Sequence, residues 1–240
     1  MRLFRTLFGA LVAGQIGYSL LPESRRPAAT RAIVVLMLAT ALAEARAARG
    51  RRGVGLVIAA GGLGFATELV GVASGWPFGH YSYGRGLGPR LRGVPLLAAA
   101  AWAMMARPAW IVAGTLAARN SLRVPLAAGA LTAWDVFLDP RMAREGYWSW
   151  PGGGRYEGIP ASNFLGWLGT SAGVFAVWAA LDRERPDARD DGALVLYAWT
   201  LAGETFASAV IWRRPRVAAA GSAAMAALGV PALVRRLRRS

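Results

Sequence analysis

Apolar residues in this chain do not alternate with polar ones. They form long runs separated by short breaks that carry arginine. Runs of near twenty residues match helices that cross a bilayer. Eight can be traced: Leu3–Leu21, about Ala32–Ala48, about Val54–Ser74, Val94 to about Ala118, Val124 to about Leu138, Ser162–Leu181, Gly192–Trp212 and Val217–Val234. They predict an all-α, polytopic integral membrane bundle of about eight transmembrane helices, in a single domain over residues 1–240. Leu3–Leu21 follows Arg2 as a signal peptide would, but no small-x-small cleavage pattern closes it, so it reads as the first helix. Pro95 suits a first helical turn, and Arg107-Pro108 predicts a kink or an early exit from the membrane. Small residues crowd the third and eighth runs, as close helix packing in lipid requires. There is no duplicated pair of halves of the kind that many transporters carry.

Composition supports the same class. Hydrophobic residues make up 55% of the 240 and charged residues 17%. The net charge of +15 is carried by arginine without a single lysine, and there is no cysteine, so no disulfide or thiolate metal site can form. The arginines sit at the ends of apolar runs, which fits lipid headgroups and membrane orientation rather than nucleic acid. They divide almost evenly between the two sides, with a slight excess on the side of the termini. The loops at 75–93 and 140–160 share one side whichever way the chain inserts.

That shared side gathers the candidate chemistry. Glu68 lies inside an apolar run, where a carboxylate is costly unless it faces a cavity or a partner. After it come Trp76, Phe78, the single histidine His80, and Tyr81 and Tyr83. Asp135 and Asp139 are four residues apart, hence on one helix face, and could serve as acid and base or hold a divalent ion. A structural reading has Glu68 bonding a neighbouring helix, Asp139-Pro140 ending the fifth helix, and the aromatics forming an interfacial belt. The stretch Gly146–Pro151 and then Tyr156–Trp167 holds Trp148, Trp150, Tyr156, Asn163, Phe164 and Trp167. It reads as an aromatic girdle or as a cap over an apolar cavity, whose ring faces could stabilise a cation. His80 alone makes no metal site. Glu204, a lone acid in the seventh run, reads first as structural.

These residues carry a resemblance. Glu68, then Gly75-x-Pro77-Phe78-Gly79-x-Tyr81-x-Tyr83, Gly93-Val94-Pro95 and Trp102 resemble the CruF-type carotenoid hydratases, which include the bisanhydrobacterioruberin hydratases. So do Asp135, Asp139-Pro140, Gly146, Trp148, Trp150 and Tyr156-x-Gly158-x-Pro160-x-x-Asn163-Phe164-x-Gly166-Trp167. The match spreads over about residues 60–170. It implies a hydro-lyase that adds water to the terminal isoprenoid double bond of an acyclic carotenoid, giving a tertiary alcohol without cofactor or metal. It implies a prokaryotic cell membrane, lipid around the chain, and other carotenoid-pathway membrane enzymes as neighbours. Glu68 or Asp135 would be the acid and the other would orient water, with Asp139, Asn163, His80, Tyr81 and Tyr83 as proton or water partners. Trp76, Phe78, Trp102, Trp134, Trp148, Trp150, Tyr156, Phe164 and Trp167 would wall the substrate.

Two other classes stand beside this reading. A magnesium-dependent membrane prenyltransferase would use Asp135-x-x-x-Asp139, although such enzymes normally carry two aspartate-rich motifs and only one is present. A non-catalytic carotenoid-binding protein would use the same cavity and aromatics. A lycopene cyclase fits less well, since Pro22-Glu23 is a poor remnant of a Pro-x-Glu acid motif.

Overall fold

The computed structural model describes residues 1–182 and 184–239. Seven α-helices are present among them: α1 (Arg2–Tyr18), α2 (Arg26–Ser74), α3 (Leu97–Leu116), α4 (Asn120–Arg144), α5 (Ala161–Leu181), α6 (Asp191–Phe206) and α7 (Pro215–Leu237). A π-helical turn, Ala207–Ile211, continues α6. The chain is an all-α membrane protein, but its helices are not eight separate rods. The second and third apolar runs form the single element α2, which breaks at Gly50, where φ is 62° and ψ is −146°.

That break reverses the chain. At 1.5 Å per residue, a straight helix would put residues 45 and 53 about 12 Å apart. Here a Cβ on Gly53 would come within 2.5 Å of the Ala45 carbonyl oxygen. Two arms therefore fold back on each other around a glycine in the left-handed region that a side chain disfavours. Five helical stretches are long and apolar enough to cross a membrane: Glu23–Ser74, Leu97–Leu116, Ala161–Leu181, Ala188–Ile211 and Pro215–Leu237. Helix α1 and the charge-bearing α4 fall outside that group.

Helix α3 is the central post. Buried residues make up 78% of its apolar window, against 28–39% for the other four stretches. Trp102, Met105, Trp110 and Ile111 pack all round it. Helices α2, α4, α6 and α7 pack against it, α5 stacks Trp167 on its Trp102, and Val35, Ile58, Leu165, Val195 and Val230 face outward, as lipid contact requires. Pro108 does not end α3, which continues to Leu116. The neighbouring Arg107 is 2% exposed. It bonds Glu44 on α2 and donates to Asp190, just before α6, at 2.6 Å. Asp190 also pairs with Arg49, which reaches Glu184. A buried cation needs such compensation, and this chain of charges ties the Gly50 end of α2 to α3 and α6.

The two loops of the opposite end are joined by backbone. Strand β1 (Ser82–Tyr83) pairs antiparallel with β4 (Trp148–Ser149), with Tyr83 opposite Trp148. A second pair, β2 (Arg90–Leu91) with β3 (Val94–Pro95), shapes the rest of the first loop. Apolar periodicity does not reveal strands this short.

Candidate functional site

Glu68 stands on the second arm of α2 and is buried. Its carboxyl group accepts from three donors, which leaves one acceptor site on Oε1. Tyr81 and Tyr83 donate to Oε2 at 2.5 and 2.8 Å, and Trp102 Nε1 donates to Oε1 at 3.0 Å. The sequence permits this approach because Gly64, one helical turn before Glu68, has no side chain. A Cβ there would lie 2.1 Å from the Trp102 ring. Gly71, almost one turn after Glu68, likewise makes room for Phe78 and Tyr81. Burial, and then the nearby Glu68 carboxylate, hold the Tyr81 and Tyr83 hydroxyls well above the ordinary phenol range. Both therefore remain donors at any physiological pH.

Asp135 and Asp139 lie one turn apart on α4, both buried. Asn163, in the first turn of α5, donates through Nδ2 to Asp135 Oδ2 at 3.0 Å and to Asp139 Oδ2. Asp135 Oδ1 accepts no bond from any described residue. Asp139 does not end its helix, because α4 runs on through Pro140 to Arg144. The proline supplies no N–H to the carbonyl of Val136, four residues back. That carbonyl instead accepts from the Tyr156 hydroxyl at 2.9 Å.

Glu68, Asp139 and Asn163 face one cavity of about 90 Å³. One water needs about 10–15 Å³ by this kind of measure, so the space admits several. Its walls include Phe78, Tyr81, Tyr83, Trp102, Trp134, Trp148, Trp150 and Trp167. Trp102 and Trp167 stack at 3.9 Å, and Trp134 meets Trp167 edge-on. Trp150 is fixed by donating to the Phe78 carbonyl at 3.2 Å.

Other expected site residues lie outside this cavity. Asp135 sits behind Asn163 rather than on the wall. Trp76 is 70% exposed, and His80 is exposed with its ring beside Gly75. Tyr156 packs edge-on against Phe164 and serves Val136. Among the described residues no three His, Asp or Glu side chains are grouped as a metal ion's ligand set.

The cavity also has a side that sequence reasoning missed. Gln15, Thr30, Arg141, Thr200 and Glu204 line it too. Arg141 and Glu204 pair at 3.9 Å, and Arg141 reaches Glu145 at 3.4 Å. The lone acid in the seventh run was the available signal, but nothing in the sequence alone brought α1 and α6 to the same space.

A helical membrane protein with acidic side chains converging on an aromatic-walled cavity is built to act on an apolar molecule. Residues 29–231 match the family described as "Carotenoid biosynthesis protein", and this chain belongs to that family. Over 109 residues it is 33% identical to the bisanhydrobacterioruberin hydratase of Haloarcula japonica. That stretch covers 43% of this chain and 37% of the relative, so the match spans little more than a third of the relative's length. No solved structure matches.

Proposed function

We propose that this chain is a hydro-lyase that adds water to the terminal trisubstituted double bond of an acyclic carotenoid in a prokaryotic cell membrane. The observation that supports this most is the convergence of two acidic centres, Glu68 and the Asp135–Asp139 pair, from different helices on one aromatic cavity. The likeness to a protein named as a hydratase points the same way.

The roles divide by hydrogen bonding. Asp135 and Asp139 share one Asn163 amide, and two like charges held this close repel unless one carries a proton. We assign the proton to that pair, steadied by Asn163, with Asp139 presenting it to the cavity. Glu68 is held as an acceptor by three donors and orients the water. The proton goes to the less substituted alkene carbon as the π bond breaks, leaving a tertiary carbocation. The faces of Trp148, Trp150 and Trp167 stabilise that charge. Water adds to the cation and gives up a proton to Glu68, and proton exchange among the acids restores the starting state. No electrons change hands, and the product is a tertiary alcohol.

The test is mass spectrometry of pigments from a lycopene-producing host expressing the chain, repeated with a bisanhydrobacterioruberin-producing host. A gain of one or two waters with wild type is expected, with no gain for Glu68→Gln or Asp135→Asn. Full hydration by both variants would sink the assignment. A gain of a prenyl unit would make the chain a transferase, and an unchanged mass with retained pigment would make it a carotenoid-binding protein.

A further inference from the structure

The cavity around Glu68 and Asp139 has room for one end of an acyclic carotenoid, so the rest of the molecule must leave through a wall. The β1–β4 pair and the buried Trp150 lie over the loop side. On the other side the cavity adjoins a groove of about 510 Å³ between α1 and α6. Gln15, Ile33, Arg141, Thr200 and Glu204 line both spaces, so the two adjoin and only these side chains stand between them.

The groove changes character along its length. Its outer lip is apolar and faces outward, with Ile16 60% and Phe206 58% exposed. Its inner end is polar: Trp199 donates to Gln15 at 2.6 Å, and Arg141 pairs with Glu204 at 3.9 Å. The π-helical turn that continues α6 contributes Ala207 and Ile211 to the wall. Turns of this kind inside helices often occur at functional sites.

We propose that this groove is the lateral port and binding channel for the polyene tail of the substrate. The tail lies between α1 and α6 with its far end in lipid, while its reacting end passes Thr200 and the Arg141–Glu204 pair to reach Asp139. This rests on the reading of the inner cavity as an isoprenoid site. It adds a substrate-binding surface from residues that the chemistry does not use.

Gly203 allows a direct test. It lines the groove but not the inner cavity, and a Cβ there meets only Trp199, at 4.0 Å. Gly203→Trp fills the channel, and Gly203→Ala is its mild counterpart. Gly173→Trp adds the same bulk on an outward face of α5, where nothing lies within 4 Å. The full-length protein is purified in detergent from a lycopene-producing host, and lycopene retained per protein is read by absorbance. Wild type, Gly203→Ala and Gly173→Trp should retain pigment, and Gly203→Trp about tenfold less. Hydration is then compared for lycopene and for 2,6-dimethyloct-2-ene, a ten-carbon alkene with a similar end and no long tail. Gly203→Trp should lower kcat/KM for lycopene about tenfold and leave the short alkene within about twofold.

Equal retention by wild type and Gly203→Trp, or no retention by wild type, overturns the port. So does an equal loss on both alkenes. If wild type retains lycopene but hydrates neither alkene, the hydratase reading fails while the retention series alone decides the port.

Discussion

Tyr156 donates its hydroxyl at 2.9 Å to the carbonyl of Val136, the acceptor that Pro140 leaves without an amide. A loop residue thus repairs a gap in the helix that carries both aspartates. Tyr156→Phe keeps the ring but orphans the carbonyl, at a cost of about 1 kcal/mol for a part-buried group. A thermal melt in detergent should show it. Burial also holds the Tyr156 hydroxyl up at about 12, from an ordinary value of 10.0. A raised value means that the stability from the protonated hydroxyl is complete below pH 10 and is lost as pH climbs through about 12. The melting difference between wild type and Tyr156→Phe should therefore shrink across that alkaline window. Equal melting of the two proteins near neutral pH would show that the hydroxyl contributes nothing.

Trp102 both donates to Glu68 and stacks on Trp167, and one substitution separates the two. Trp102→Phe keeps an aromatic ring in the stack and removes the N–H. Loss of a bond to a charged group is worth about 1.5–3 kcal/mol, so hydration should fall tenfold or more while pigment retention persists. Steady-state kinetics on lycopene, with retention measured in parallel, would show unchanged turnover if the donor does not matter.

Gly64→Ala probes the same contact from the other side. Its methyl would land 2.1 Å from the Trp102 ring. Overpacking of this kind costs about 1–3 kcal/mol and should displace the indole from Glu68. Gly62, with nothing within 4 Å, gives the comparison. Gly62→Ala should melt like wild type, while Gly64→Ala melts lower and hydrates more slowly.

Arg107 is a stability residue on this account, not a participant in chemistry. Arg107→Met leaves Glu44 buried without its cation, while Asp190 keeps Arg49, and breaking a buried pair on one side costs about 3–5 kcal/mol. The variant should lose most of its folded yield. The Arg107→Met, Glu44→Gln double variant, which also removes the stranded charge, should recover part of it. An Arg107→Met protein that melts like wild type would show that the network is idle.

The helical class and much of the site can be read from the sequence because two signals are strong in lipid. Long apolar runs predict helices, and a carboxylate such as Glu68 inside one stands out by its cost. The shared side of the loops at 75–93 and 140–160 follows from counting passes, and the β1–β4 pair joins those loops. Gly50 was not legible as a reversal, since glycine in a glycine-rich run is unremarkable until its backbone angles are known. Pro140 misleads because a proline ordinarily ends a helix, and the compensating Tyr156 is distant in sequence. Gln15 and Thr200 escape notice because single polar residues in apolar runs are common. Only the packing of α1 and α6 gives them a shared cavity.

The β1–β4 pair has a mechanical consequence. Tyr83, which touches Glu68, is opposite Trp148, a wall of the same cavity. Main-chain hydrogen bonds thus set the spacing between the two halves of the roof, independent of which side chains hang from it. Lengthening either loop by a single residue would slip that register and set Tyr83 against a different partner, so the two halves of the roof answer to one ladder rather than moving as independent flaps.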